Sequence, residues 1–142
     1  MSDTFPSQLD ALKAKYGDNS GFEAAYAFLD LHLKWAAAVE ASDPQEAIEQ
    51  CLLAEDCQAT IGTFATGSGE GLASMAALYE IMGKRADLEE TLANSEANSA
   101  ESTGRLKRAL AIWQKISADP NGIGNRTPAK SRIQRLKSRI AV

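Results

Sequence analysis

Signals that begin an α-helix recur along the whole of this chain. Ser20-Gly-Phe-Glu23 has the spacing of a capping box, in which a serine and a glutamate three positions later satisfy free N–H groups at the helix start. Ser42-Asp43-Pro44-Gln-Glu46 combines a cap residue with proline at the first helical position. Thr127-Pro128 has the same arrangement near the other end. The sequence therefore predicts a chain divided into helices.

Residue usage agrees with these signals. Alanine, leucine, glutamate and lysine are frequent, whereas valine occurs only at Val39 and Val142, and no segment alternates convincingly between apolar and polar residues. A chain of 142 residues has the size of one domain. We predict an all-α fold with a single domain over 1–142, built as a bundle or an array of antiparallel helical hairpins with about six to seven helices.

Several boundaries inside this domain are less regular. We predict that Ser7 caps the first helix and that the glycine-rich stretch 62–71 is a flexible connection. A helix that follows it should end at Gly83, and Asp87 should begin the next one. The polar segment 93–103 is either a frayed helix end or a loop.

Charge is distributed very unevenly along the chain. Residues 1–104 contain 18 acidic and 5 basic residues, whereas residues 105–142 contain 10 basic residues and one acidic residue, Asp119. Two interpretations stay open. The basic helices dock against the acidic remainder of the same chain, or they form a surface that binds a partner. The residues predicted for such a partner-binding surface are Arg105, Arg108, Lys130, Arg132, Arg135 and Arg139.

The basic segment limits the classes of partner. The C-terminal helix, predicted over 128–141, is basic and amphipathic, but its apolar side holds only Ile133, Leu136 and Ile140, which disfavours membrane insertion. Nucleic-acid binding is an alternative, although the segment lacks interleaved aromatic residues for stacking. A protein or peptide partner is the first expectation, and a homo-oligomer is also open. No apolar run has the length of a signal peptide or a membrane span, so we expect a cytoplasmic protein.

The residues that usually carry catalysis do not form a recognisable set. His32 is the one histidine, and its place on an apolar helix face indicates a core residue. Cys51 and Cys57 point about 120° apart on a helix, which argues against a disulfide, and their spacing matches no standard zinc-ligand pair. The glycines from Gly62 to Gly67 have phosphate-loop spacing but lack its lysine and its preceding strand. We expect no cofactor, no metal site and a non-enzymatic role.

An enzyme or a small-ligand binder is the third functional class left open. It requires a pocket, and the aromatic and thiol side chains available to line one are Tyr26, Trp35, Cys51 and Tyr79.

Residues 72–120 resemble tetratricopeptide-type helical hairpins. Leu78-Tyr-Glu-Ile-Met-Gly83, followed by Leu88 and Leu92, resembles the turn of such a hairpin. Ala109-Leu-Ala-Ile-Trp113-Gln-Lys-Ile116, followed by Asp119-Pro120, is similar to the second helix of a repeat with its terminal proline. The resemblance implies stacked hairpins whose concave face binds a peptide or another protein. The function predicted from the sequence is therefore a protein-interaction module, an adaptor or a regulator.

Overall fold

The structure is a computed structural model that describes residues 4–141, so residues 1–3 and 142 of the predicted domain lie outside it. The described chain forms an all-α single domain without strands, which confirms the predicted fold class. Its elements are the helices α1 (Phe5–Tyr16), α2 (Phe22–Val39), α3 (Pro44–Thr63), α4 (Gly67–Ser95), α5 (Ser99–Ser117) and α6 (Ala129–Ala141), with a short 3-10 helix, η1 (Ile123–Arg126), between α5 and α6.

Side-chain caps explain where three of the helices begin. Asp43 accepts a hydrogen bond from the Glu46 N–H at the start of α3, and Pro44 stands at the first helical position, as predicted. Thr4 caps α1, so the predicted cap at Ser7 is wrong by three residues. The predicted capping box at Ser20 is also wrong, because the Ser20 hydroxyl donates to Asp18 and α2 begins after Gly21. Asn98 caps α5.

Helix α4 is much longer than the sequence predicted. Of the stretch 62–71, only residues 64–66 lie outside a helix. Gly83 does not end a helix, and Asp87 does not begin one, because both lie inside α4. A continuous helix is possible at Gly83 because a glycine interior costs only about 1 kcal/mol, which tertiary packing easily offsets. The polar segment 93–103 contributes the end of α4, the start of α5 and a short turn between them.

The helices pack in chain order, each against the next, from α1 to α6. Such packing produces a succession of antiparallel pairs. Ion pairs also link α4 to more distant helices: Lys84 pairs with Glu40, which directly follows α2, and Asp87 pairs with Arg132 of α6.

Two apolar clusters form the core between the helices. The first joins α1, α2, α3 and part of α4, and its least exposed side chains include Cys51 and Cys57. The second joins the rest of α4 with α5, η1 and α6, and it includes the fully buried Ile116 and Leu136. Because α4 contributes to both clusters, it connects the two halves of the domain.

Candidate functional site

A groove lies where α2, α4 and η1 meet. It has a volume of about 730 Å³ and is partly open to solvent. Helix α2 forms one wall, α4 runs along the middle, and η1 forms the other wall, while α3 and α5 contribute residues beneath them. The residues that matter most for its shape and charge are Leu33, Ala37, Ala76, Glu80, Trp113 and Arg126.

Small side chains create this groove. Ala36 and Ala37 of α2 line it together with Ala76 and Ala77 of α4, and a methyl group fills little of the space beside its helix. Leu33 extends further from the same wall and keeps 39% of its surface exposed. An exposed leucine beside an unfilled apolar groove is typical of a surface that binds another molecule.

The η1 wall is fixed to α4 by Asp119. The Tyr79 hydroxyl donates a hydrogen bond of 2.7 Å to one Asp119 oxygen, and the backbone N–H of Ile123 donates to the other at 3.1 Å. Burial, together with this hydrogen bond to a carboxylate, raises the pKa of Tyr79 to about 12. Gly124 lies so close to α5 that a Cβ there would stand 2.0 Å from the Ile116 carbonyl oxygen. This wall is therefore a fixed part of the groove.

Trp113 of α5 lies beneath the groove. Its ring packs directly on Gly83, where an added Cβ would stand 2.7 Å from the Trp113 Cη2 atom. The guanidinium of Arg132 lies over the ring, 5.9 Å from its centroid. Within residues 4–141, the buried Trp113 Nε1 has no hydrogen-bond partner. The glycine inside α4 thus makes room for a large aromatic side chain at the base of the groove.

Charged groups in the lining differ in whether they are paired. Lys84 forms an ion pair with Glu40, and Asp87 pairs with Arg132 at 3.0 Å. Glu80 and Arg126 also line the groove, and neither forms an ion pair with any residue of the described chain. The groove therefore presents one negative and one positive group to an incoming molecule.

The arginines of the predicted partner-binding surface are mostly occupied within the chain. Arg105 and Arg108 pair with Glu89, at 3.3 and 3.4 Å. Arg132, Arg135 and Arg139 pair with Asp87 and Glu90 of α4. Of the predicted set, only Lys130 is exposed and makes no ion pair within residues 4–141. Five arginines of the basic helices thus pair with acidic residues of the same chain. Within residues 4–141, the lysines of these helices form no ion pair and are exposed: Lys107, Lys115, Lys130 and Lys137.

Glu90 is the most heavily paired carboxylate of this set. Arg135 Nε donates to Glu90 Oε2 at 3.0 Å, Arg139 Nη1 donates to the same oxygen at 2.8 Å, and a second Arg135 nitrogen contacts Glu90 Oε1. Burial alone would raise the pKa of Glu90, but the hydrogen bonds and charges of the two arginines outweigh it and lower this pKa. Glu90 thus joins α6 to the centre of the domain.

His32 is buried, as predicted. It lies between the rings of Phe28 and Trp35, and its Nδ1 atom is 2.7 Å from the Gln50 Oε1 atom, at hydrogen-bond distance. Burial lowers the pKa of His32 although the hydrogen bond to Gln50 acts in the opposite direction. A neutral, hydrogen-bonded histidine of this kind has a packing role.

The two cysteine thiols are free and buried. Burial raises the pKa of Cys51 to about 11, so its thiol stays protonated at neutral pH. Burial also raises the pKa of Cys57, despite a hydrogen bond from Asn19 at 3.3 Å. A nucleophilic role would need a thiolate, which neither environment favours. In the part of the chain that is described, no three histidine, cysteine or carboxylate residues are grouped to hold a metal ion.

The proposed pocket residues separate into two groups. Cys51 and Tyr79 line the groove, whereas Tyr26 and Trp35 lie elsewhere. Trp35 stacks on Phe5 and donates a hydrogen bond to Glu46. Sequence reasoning missed Ala37 and Arg126 as groove residues. The run of alanines after Trp35 was the available signal, because it places small side chains at three successive positions of α2.

Comparison with protein-family models, with curated proteins and with solved structures gave no match. Among residues 4–141, no helix has the length and apolar character that crossing a membrane requires.

Proposed function

We propose that this protein is a non-enzymatic protein-interaction module that binds a helical segment of a partner in the groove between α2, α4 and η1. The observation that carries the proposal is the groove itself, which is open, lined mainly by apolar side chains and unfilled by the chain's own residues. An amphipathic helix laid in an apolar groove is a common mode of peptide recognition.

The dimensions of the groove suit such a segment. Along α4 the lining extends from Ala76 to Asp87, which at about 1.5 Å per residue corresponds to roughly 17 Å. A helix of about three turns has the same length. Apolar residues spaced by three and four positions would then face Leu33, Ala37 and Ala77, while the polar side of the bound helix would face solvent.

The arrangement of helices supports the same role. Antiparallel helical pairs that stack in chain order present extended surfaces on one layer, and proteins of this construction generally bind peptides or other proteins there. We include in this proposal the resemblance of residues 72–120 to tetratricopeptide-type hairpins, since that family also binds peptides or proteins. In the structure the chain reverses at 96–98 and not at Gly83, so any such pairing involves α4 and α5 as whole helices.

A selection experiment tests the proposal and does not require the partner to be identified first. The full chain is immobilised and used to select binders from a phage-displayed library of random 16-residue peptides. The expected result is a set of peptides with apolar residues at helical spacing. If no peptide is enriched over several rounds, the proposal is contradicted.

A matched pair of variants locates the binding. Ala37 and Ala38 are adjacent, exposed residues of α2, but only Ala37 lines the groove. Ala37→Trp places a large ring in the groove and should abolish binding of the selected peptides, whereas Ala38→Trp should leave it unchanged. Equal binding by both variants would place the site elsewhere and overturn the proposal.

A small apolar ligand is a second candidate occupant. The volume of about 730 Å³ falls within the range of roughly 300–1,000 Å³ that is usual for ligand pockets. A ligand-observed NMR screen of small apolar compounds tests this alternative. Compounds that bind the wild-type chain and the Ala38→Trp variant, but not Ala37→Trp, would support it. If no compound distinguishes the two variants, this alternative fails.

A further inference from the structure

We infer that Arg126 is the anion-recognition point of the groove and that the bound helical segment carries an aspartate or glutamate side chain facing it. This inference rests on the proposed function, since it specifies the chemistry of the segment that the groove receives. It also moves the cation that contacts the partner, because Arg126 is one of the ten bases of residues 105–142 but not one of those predicted for the partner-binding surface.

Pairing distinguishes Arg126 from every other arginine. The chain contains seven arginines, and six of them form ion pairs with carboxylates of α3 or α4, namely Arg85, Arg105, Arg108, Arg132, Arg135 and Arg139. Arg126 is exposed and forms neither an ion pair nor a side-chain hydrogen bond within residues 4–141. The chain therefore satisfies its other guanidinium groups internally and leaves one available at the groove.

The position of Arg126 is also specific. It ends η1 and lines both the main groove and an adjoining cavity of about 270 Å³, in which Leu72, Ala73 and Ala76 of α4 also take part. Asp119 and Gly124 hold the backbone that carries Arg126 against α4 and α5. A cation beside apolar side chains suits a ligand that combines an apolar surface with a negative group.

A carboxylate is the group that fits best. The guanidinium group is planar and donates two parallel hydrogen bonds to a carboxylate, which sets its direction as well as its affinity. Lys84, another cation of the lining, is already paired with Glu40. Glu80 lies on α4 without an ion pair and would repel an acidic residue placed beside it. The acidic residue of the segment should therefore occupy the η1 edge only, with a neutral or basic residue near Glu80.

The same phage-displayed library tests this inference, because its peptides are fused at their C-termini and offer only side-chain carboxylates. Peptides selected on the wild-type chain should carry aspartate or glutamate at one fixed position relative to their apolar residues. Selection on the Arg126→Glu variant should replace that residue by lysine or arginine. Lys107→Glu, a reversal at an exposed cation outside the groove lining, is the matched control and should select wild-type-like peptides.

Affinity measurements complete the test. Measured by fluorescence anisotropy, the affinity for a selected acidic peptide should be about 10- to 100-fold lower for Arg126→Ala than for the wild type, as expected for loss of a hydrogen-bonded charged partner. Lys107→Ala should bind the peptide with wild-type affinity. Selected peptides without an acidic preference, or with equal affinity for Arg126→Ala and the wild type, would overturn the inference while the groove remains the binding site. Peptides that bind Ala37→Trp as well as the wild type would instead overturn the proposed function and this inference with it.

Discussion

Arg139 of α6 donates a hydrogen bond of 2.8 Å to the Glu90 carboxylate of α4, across 49 residues of sequence. Arg135 contacts the same carboxylate, and Arg139 also donates to Asn94. These contacts account for part of the charge asymmetry of the chain. Arg132, Arg135 and Arg139, three of the five basic residues of α6, pair with Asp87 and Glu90 of α4, which directs the C-terminal helix to one place on the domain.

The two arginines of α6 should contribute measurably to stability. The Arg135→Ala/Arg139→Ala variant leaves the largely buried Glu90 without cationic partners, which should lower the free energy of unfolding by about 1–3 kcal/mol. Urea denaturation measures the change. Lys130→Ala/Lys137→Ala alters the net charge equally at exposed, unpaired positions of α6 and should change stability by less than about 0.5 kcal/mol.

A third substitution shows whether the loss of stability arises at Glu90. Adding Glu90→Gln to the double arginine variant removes the unpaired charge, so part of the lost stability should return. If the triple variant is less stable than the double variant, Glu90 is not the group that the arginines stabilise.

Stability should also depend on pH through Glu90. Its pKa is lower in the folded chain than in the unfolded chain, so its contribution is present above the unfolded pKa of about 4.3 and is lost as the pH falls through the lowered folded value. Urea denaturation between pH 6 and pH 3 should therefore show a steeper fall for the wild type than for Glu90→Gln. Parallel curves would contradict the assignment.

Two glycine substitutions should have opposite effects. Gly83→Ala gains about 1 kcal/mol of helix propensity, but its methyl group overlaps the buried Trp113 ring, and overpacking costs about 1–3 kcal/mol, so the variant should be less stable. A Cβ at Gly104 of α5 would stand 3.8 Å from the flexible Arg108 side chain, and Gly104→Ala should stabilise the chain by about 0.5–1 kcal/mol. Thermal unfolding of both variants checks the difference in sign.

His32 should titrate below the usual range for histidine. Because burial lowers its pKa, the unfolded chain binds more protons than the folded chain between the folded pKa and about 6.5, and stability should decrease as the pH falls through that window. The chain has one histidine, so its imidazole signal in an NMR titration is unambiguous. A midpoint at or above about 6.5 would contradict the buried, neutral state.

Local signals were sufficient to predict the fold class but not all of its boundaries. The start at Pro44 and the burial of His32 follow from residues that are neighbours in sequence or on one helix face. Gly83 was wrongly predicted to end a helix. A glycine is present there because the ring of Trp113, 30 residues later in the chain, occupies the space that a side chain would fill. The pairing of Arg135 with Glu90 was unpredictable for the same reason. The sequence shows that Arg135 is charged, but it does not show which carboxylate lies beside it.

The groove was unpredictable for a related reason. The groove exists because several side chains that line it are short. Residues such as Ala37 and Ala77 can be recognised as its lining only when the fold shows that α2 and α4 both contribute to it. Arg126 likewise resembled any other base of the C-terminal segment. What distinguishes it is the pairing of the other arginines, which depends on the complete fold.

The two tryptophan indole signals provide the most direct test of groove binding. Trp113 lies beneath the groove, whereas Trp35 lies outside its lining and donates to Glu46 at 3.0 Å. In a spectrum of the ¹⁵N-labelled chain, addition of a selected peptide should shift the Trp113 indole signal and leave that of Trp35 in place. An unchanged Trp113 signal, with shifts confined to the exposed Leu52 and Leu53 of α3, would contradict binding in the groove.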